Sequence, residues 1–194
     1  MQCGSKRYFR PNRRINNKSS IKIMNPLEFF LGATFPGVVV HELGHILFCK
    51  LTRTKIKKFS LFQPFMPLGY VVHEKPSTLF REMLIVLGPF ILNSFLAIFM
   101  IQLLALFSLP IFFKFIVIWL IFSFGFHAFP SQADAKSFYL SVKNEIKNKK
   151  LLALLYLPIA LFFNIMSSSR VLTRLIYPLI LLGINSKLLA DIID

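Results

Sequence analysis

A five-residue pattern, His41-Glu42-Leu43-Gly44-His45, lies inside an apolar stretch that covers residues 26–50. A helix of that length can cross a hydrocarbon layer of about 30 Å, because each helical residue adds about 1.5 Å. Residues four apart share one face of a helix, so His41 and His45 can offer two imidazole nitrogens to one metal ion, with Glu42 beside them. Three ionisable groups at membrane depth are costly unless they are paired or bound to a metal. The pattern therefore predicts a helix that carries a metal site and disfavours a purely structural helix.

The apolar stretch is interrupted by Pro36-Gly37, which either kinks the helix or marks the point where the part bearing His41 begins. Hydrophobic residues make up 55% of the chain and charged residues 16%, against about 25% charged residues in a soluble domain. Further apolar segments cover residues 79–107, 111–129, 151–165 and 171–190. We therefore predict an all-α polytopic membrane protein with four or five transmembrane helices, in a single domain that covers residues 26–194.

The region between the first two apolar segments has a different pattern. Residues 54–62 partly alternate between polar and apolar side chains, residues 63–69 contain two prolines, and residues 70–74 have the composition of an extended segment. This pattern predicts a small β-hairpin inserted after the first helix.

The net charge of +15 comes from 23 Lys and Arg residues, which are gathered between the apolar segments. Basic residues in that position meet anionic headgroups or set the orientation of the helices, so we expect a lipid bilayer and no nucleic acid as partner. Residues 1–24 hold seven of these basic residues and no acidic residue. We expect residues 1–25 to form a disordered basic arm without a cleavable signal peptide, with a transit peptide or an upstream extension as alternatives.

A catalytic zinc ion usually takes three protein ligands, so the two histidines need a partner from elsewhere in the chain. If the first three apolar segments each cross once, the C-terminal ends of the first and third lie on the same side. This topology favours Asp134, which follows the third segment after Pro130; the alternative for Asp134 is a role in capping the next helix. The remaining candidates are His73, His127, Asp191 and Asp194.

His127 is the main rival to Asp134, because it lies near the same end and imidazole binds zinc well. Otherwise His127 supports the site from behind the ligands or is a hydrogen-bonded core histidine. We expect His73 to be a loop residue. Asn93 lies in the middle of the second apolar segment, where an unpaired amide is costly. It either binds substrate or steadies the metal site, or it only hydrogen-bonds another helix.

Three segments together resemble the site-2 protease family of intramembrane zinc metalloproteases. They are His41 to His45, the run Gly88-Pro89-Phe90-Ile91-Leu92-Asn93, and the run Pro130-Ser131-Gln132-Ala133-Asp134. Two departures from the family pattern are one extra residue between Gly88-Pro89 and Asn93, and the replacement of the usual Asp-Gly signature by the third run. The resemblance covers about residues 26–137, and it implies a catalytic core over residues 26–140 with extra helices over 151–190.

The function implied by this resemblance is hydrolysis of peptide bonds in or near transmembrane segments of protein substrates. Zn²⁺ would be held by His41, His45 and Asp134, and Glu42 would act as general base. The alternatives are a non-proteolytic membrane scaffold of the same fold and a metal-handling membrane protein. We expect the active site near the cytoplasmic side of a multi-pass protein, on the balance of basic residues.

Overall fold

The computed structural model describes residues 32–63, 67–168 and 172–184, and these residues are mostly helical. In chain order, the elements are α1 (Phe35–Leu51), β1 (Ile56–Ser60), β2 (Tyr70–His73), α2 (Leu79–Leu106), α3 (Ile111–Phe126), α4 (Gln132–Lys147), a 3-10 helix (Leu151–Tyr156), α5 (Leu157–Ser168) and α6 (Leu172–Ile184). The predicted basic arm, Asp191 and Asp194 lie outside the described residues.

Helix α1 begins at the proline-glycine interruption. Thr34 is its N-cap and Pro36 lies in its first turn, where a missing N–H costs nothing and the fixed φ suits a helix start. Pro36-Gly37 therefore marks the beginning of the helix that carries His41, which is the second of the two alternatives drawn from the sequence.

The predicted β-hairpin is confirmed. Strands β1 and β2 pair antiparallel, with Ile56 opposite His73 and Ser60 opposite Tyr70, and the register shifts between Ile56 and Lys58. His73 thus ends a strand, and the prediction that it lies in a loop is wrong.

Two helical segments in the described part of the chain are long and apolar enough to cross a membrane. They are α2, with a mean hydropathy of 2.4, and the continuous 3-10 and α5 segment from Leu151 to Ser168, with a mean hydropathy of 1.9. The apolar helices α3 and α6 are shorter than a full crossing. The predicted four or five transmembrane helices stay a prediction.

Helix α4 covers a stretch in which the sequence predicted no apolar segment, although capping of a following helix by Asp134 was one of its alternatives. Its buried residues Ala135, Phe138 and Val142 recur at intervals of three and four, as the packed face of an amphipathic helix does. Phe138 and Val142 on this face join Val86 and Ala160 in one apolar cluster, while Ala135 belongs to a second cluster. Polar side chains, charged and uncharged, are the majority in this stretch and had concealed its helical period.

Close helix contacts at glycines determine where α1 lies. A Cβ atom added at Gly44 would lie 2.7 Å from the main-chain nitrogen of Pro89, and a Cβ added at Gly37 would overlap the main-chain oxygen of Ser123. Helix α1 therefore lies against α2 at one glycine and against α3 at the other, since only glycine permits such approaches. These two contacts bring the histidine-bearing face of α1 to the C-terminal end of α3.

Candidate metal centre

The three residues expected as ligands come together in the structure. His41 and His45 are one turn apart on α1, and Asp134 lies in the first turn of α4. One ligand atom from each of the three lies within 4.8 Å of the other two. His45 is buried, and His41 and Asp134 are partly buried. The arrangement is a cluster of two imidazoles and one carboxylate at the meeting point of two helices.

Each imidazole is held by a main-chain carbonyl group. His41 Nδ1 lies 2.8 Å from the carbonyl oxygen of His127, and His45 Nδ1 lies 3.0 Å from that of Ile85. A carbonyl oxygen can only accept a hydrogen bond, so Nδ1 is the protonated nitrogen in both rings. When a ring is neutral, its lone pair is then on Nε2, which is the state required of a metal ligand, and the carbonyl group fixes the orientation of the ring.

Asp134 is held in place by the start of its own helix. Ser131 is the N-cap of α4: its Oγ accepts a hydrogen bond from the Asp134 N–H at 3.2 Å and donates one to the Asp134 carboxylate. The same carboxylate faces His45, with Oδ2 3.4 Å from Nε2. The N-cap of α4 is thus Ser131, and Asp134 takes part in this cap from the first turn while its carboxylate faces the histidines. Its role as a metal ligand stays a prediction.

The charge state of Asp134 suits a metal ligand. Burial on its own would raise the pKa of this carboxyl group, but the facing His45 and the hydrogen bond from Ser131 outweigh burial and hold the pKa below its ordinary value. The carboxylate is therefore ionised at neutral pH.

The three residues fit zinc in donor type, and the one spacing between His45 and Asp134 matches a zinc site. Zinc accepts imidazole nitrogen and carboxylate oxygen, with bonds of about 2.0–2.2 Å, so two ligand atoms on a tetrahedral ion are about 3.4 Å apart. The distance from His45 Nε2 to Asp134 Oδ2 is 3.4 Å. Three protein ligands are also the number that leaves a position for water or substrate.

Glu42 lies next to the cluster, on the wall of a small cavity. It is 7% exposed, and its Cγ is so close to Gly69 that a Cβ added there would lie 2.7 Å away. The cavity has a volume of about 160 Å³, which is room for about five water molecules at about 30 Å³ each. It is lined by Val38, His41, Glu42, Pro67, Leu68, Gly69, His127, Phe129, Ser131 and Arg174. The Glu42 carboxylate, one histidine of the cluster and space for a reacting group thus share one cavity.

His127 and Asn93 form hydrogen bonds next to the candidate ligands. The His127 side chain is bound to Thr34, with Nε2 2.8 Å from Oγ1, while its main-chain oxygen supports His41. Asn93 is fully buried and donates through Nδ2 to the carbonyl of Pro89 at 3.1 Å and more weakly to that of His127 at 3.5 Å. Its Oδ1 has no hydrogen-bond partner in the described part of the chain.

Sequence reasoning missed two contributions to this site. Arg174, on α6, lies outside every motif, and no sequence pattern predicts that it lies near His41. Gly69 follows the hairpin turn, and only the folded structure brings it against Glu42.

Comparisons of the chain with models of protein families, with characterised proteins and with solved structures give no match. The chemistry of the site is therefore the basis on which a function can be proposed.

Proposed function

We propose that this protein is an intramembrane zinc metalloendopeptidase of the site-2 protease type, which hydrolyses peptide bonds in or near transmembrane segments. The observation that carries the proposal is the cluster of His41, His45 and Asp134, with both imidazoles held through Nδ1 by carbonyl oxygens. A scaffold would not require two imidazoles that are each held through Nδ1, one of them with its Nε2 3.4 Å from a carboxylate, beside a second, buried carboxylate.

Peptide hydrolysis would need both a bound zinc ion and Glu42, which have different tasks. When present, a zinc ion polarises a peptide carbonyl and makes water acidic enough to attack near neutral pH. Glu42 accepts the proton of that water and passes it to the departing amine, in the role of general base and then general acid. Gly69, in the wall of the cavity, lies against the Glu42 side chain and restrains it.

The substrate must present an extended segment, because a helix in a membrane shields its own carbonyl groups. The β1–β2 hairpin supports this proposal, since a two-stranded sheet has outer edges whose main-chain groups can pair with such a segment. Leu68 and Gly69 connect the hairpin to the cavity. Substrates would then be transmembrane segments whose helices unwind easily.

The membrane part of the proposal includes the shorter helices. Side chains that are more than half exposed include Phe95 on α2, Phe112 and Phe115 on α3, and Leu172 on α6. Exposed phenylalanine and leucine on several neighbouring helices suit contact with lipid. We place the cavity towards the cytoplasmic side, following the basic residues that flank the hairpin.

The experiment that tests the proposal measures zinc and proteolysis in the same samples. The purified protein in detergent should contain about one zinc per chain and cleave a transmembrane-segment peptide, while Glu42→Gln should keep the zinc and lose cleavage by about 10²-fold or more. Glu82→Gln is the matched control, because Glu82 is also a buried carboxylate but bonds Ser141 at 2.9 Å and lies away from the cluster.

Three results would contradict the proposal. They are the absence of zinc from the wild type in metal-replete medium, cleavage that survives Glu42→Gln, and an equal loss of activity in the Glu82→Gln control.

A further inference from the structure

A second cavity lies between the start of α2, the end of α4 and the start of the 3-10 helix. Its volume is about 710 Å³, more than four times that of the cavity beside Glu42, and ligand cavities in proteins measure about 300–1,000 Å³. Leu79 and Leu151 both line it, and they are the first residues of the two segments long enough to cross a membrane. The cavity therefore lies at the end of the molecule where both segments begin.

The depth of this cavity distinguishes it from the candidate metal centre. If the two segments cross a membrane, as proposed above, their common start lies at the boundary between hydrocarbon and lipid headgroups. Tyr156 lines the cavity, and tyrosine is enriched at that boundary. His45 lies deeper, since it contacts the carbonyl of Ile85, six residues after Leu79. Among the described residues, the two cavities have no lining residue in common.

The charged residues of this cavity differ in their depth. Two glutamates line it and are bonded within the protein: Glu82 is buried and accepts a hydrogen bond from Ser141 at 2.9 Å, and Glu145 is half-buried and lies 2.6 Å from the Lys150 ammonium group. The lysines that line it in the described part of the chain are all exposed, and they are Lys75, Lys149 and Lys150. The mouth of the cavity is therefore positively charged, while the carboxylates lie further in.

The turn after α4 fixes the position of two of these lysines. Lys149 has a φ of 60°, a left-handed conformation that glycine adopts most easily at a helix end. The N–H groups of Lys149 and Lys150 bond the carbonyls of Ile146 and Glu145 at 2.9 and 3.1 Å. Lysine therefore stands where glycine would suit the main chain better, which favours a use for its charge. A cation at a helix end also stabilises the helix, and the test below separates these two roles.

We propose that this cavity binds one anionic phospholipid, with its phosphate at Lys75 and Lys149 and an acyl chain along the apolar wall. That wall includes Phe80, Leu151 and Leu152, of which the two leucines are 77% exposed. A lysine ammonium group binds phosphate as a point charge, and lysines near a membrane surface attract anionic lipid. A soluble phosphate compound would leave the apolar wall in water, whereas a lipid covers it. The inference goes beyond the proposed function and rests only on its membrane location.

The test measures quenching of one tryptophan by brominated lipid. The chain contains a single tryptophan, Trp119 on α3, so Trp119→Phe removes the background signal and Phe80→Trp places a reporter in the cavity wall. Phe115→Trp is the matched reporter of general lipid contact, because Phe115 is exposed on α3. Each protein is reconstituted in phosphatidylcholine vesicles in which a rising fraction of the lipid is brominated phosphatidylglycerol or brominated phosphatidylcholine. The two quenching curves give the relative binding constant of the two lipids at each reporter.

We expect phosphatidylglycerol to be preferred by about tenfold at Phe80→Trp, which corresponds to about 1.4 kcal/mol, and by much less at Phe115→Trp. Lys75→Gln and Lys149→Gly should each lower the preference at Phe80→Trp by about threefold, and together they should bring it near one. Because glycine suits the left-handed conformation, Lys149→Gly should fold and keep at least the wild-type unfolding temperature.

A matched pair of substitutions controls for total charge. Lys143→Gln with Lys147→Gln removes the same charge from exposed positions of α4 that do not line the cavity, and the preference at Phe80→Trp should not change. An equal loss in this control, or an equal preference at both reporters, would mean that anionic lipid is attracted only to the basic protein as a whole.

Other outcomes also overturn the inference. Equal quenching by the two lipids at Phe80→Trp, or a preference that survives both lysine changes, would exclude the site. Relief of quenching by added glycerol phosphate would assign the cavity to a soluble ligand. A fall in the unfolding temperature of Lys149→Gly without a change in lipid preference would assign Lys149 to the helix end alone. These results would leave the zinc-dependent function standing, whereas no quenching at either reporter would contradict the membrane location on which both proposals rest.

Discussion

The Nδ1 atom of His41 lies 2.8 Å from the main-chain carbonyl oxygen of His127. This contact ties the first turn after α3 to the metal-type cluster on α1, and it uses the main chain of His127 and not its side chain. The His127 imidazole is engaged with Thr34 instead. The two histidines therefore have different roles, although either could have been a ligand on sequence grounds.

The first prediction concerns His127→Ala. Zinc content should stay near the wild-type value, because the carbonyl that supports His41 is retained, while His41→Ala and Asp134→Ala should lose zinc. Stability should fall by about 1–3 kcal/mol because the buried hydrogen bond to Thr34 is lost. Metal analysis and thermal unfolding of the three purified variants provide the check. Loss of zinc from His127→Ala with retention in Asp134→Ala would exchange the roles assigned to these two residues.

The second prediction concerns the contact between α1 and α3. Gly37→Ala should destabilise the protein by several kcal/mol or prevent folding, because its Cβ would overlap the main-chain oxygen of Ser123 and a main chain cannot move aside cheaply. Gly183→Ala, in α6, is the matched control: nothing lies within 4 Å of its added Cβ, and alanine favours a helix by up to about 1 kcal/mol over glycine. Thermal unfolding in detergent compares the stabilities of the two variants. Equal stability of both variants would contradict the close approach.

Much of the fold could be predicted from local patterns. The hairpin, the long helix α2 and the helix bearing His41 follow from alternation, apolar length and the placement of Pro36, all of which are local properties. The packed face of helix α4 was not predicted, because a minority of apolar residues at helical intervals stands among polar ones. Its packed face is recognised only once Val86 and Ala160 are seen opposite.

Two parts of the site could be predicted from the sequence. One is the pair of histidines within a single helix, and the other is the residue chosen by asking which helix ends lie on the same side. The spacing of His41 and His45 gives two candidate ligands directly, and counting the expected crossings selected Asp134, 89 residues after His45, which the structure brings to the same cluster. The carbonyl groups that orient both rings are main-chain atoms, which leave no trace in a sequence. Arg174 was missed because its proximity depends on how α6 packs against α3, through Pro178 and Gly125.

The third prediction concerns Ser131→Ala. The Ser131 hydroxyl caps α4 and also bonds the Asp134 carboxylate, so its removal should cost about 1 kcal/mol of stability and leave the ligand less fixed. Zinc affinity should fall by about 10- to 100-fold, as it does when a group supporting a ligand is lost. Competition with a chelator measures this, and Ser137→Ala, at an exposed position of the same helix, is the control. Unchanged affinity in Ser131→Ala would show that Asp134 does not depend on the cap.

The last prediction concerns Gly69, which restrains the proposed general base. In Gly69→Ala the new Cβ would lie 2.7 Å from Glu42 Cγ and 3.0 Å from the Leu61 carbonyl oxygen, so the flexible Glu42 side chain has to move away. Displacement by about 1 Å can cost about 10²-fold in turnover, while zinc content should not change because no ligand is touched. Gly32→Ala is the matched control, since nothing lies within 4 Å of its added Cβ.

A double variant decides whether Gly69 acts through Glu42. If it does, Gly69→Ala should cause little further loss in the Glu42→Gln background, because the group it displaces has already lost its function. Turnover and zinc content of the two single variants and the double variant form the complete cycle. Multiplicative losses in that cycle, or loss of zinc in Gly69→Ala alone, would mean that Gly69 acts on the hairpin or on the ligands and not on the base.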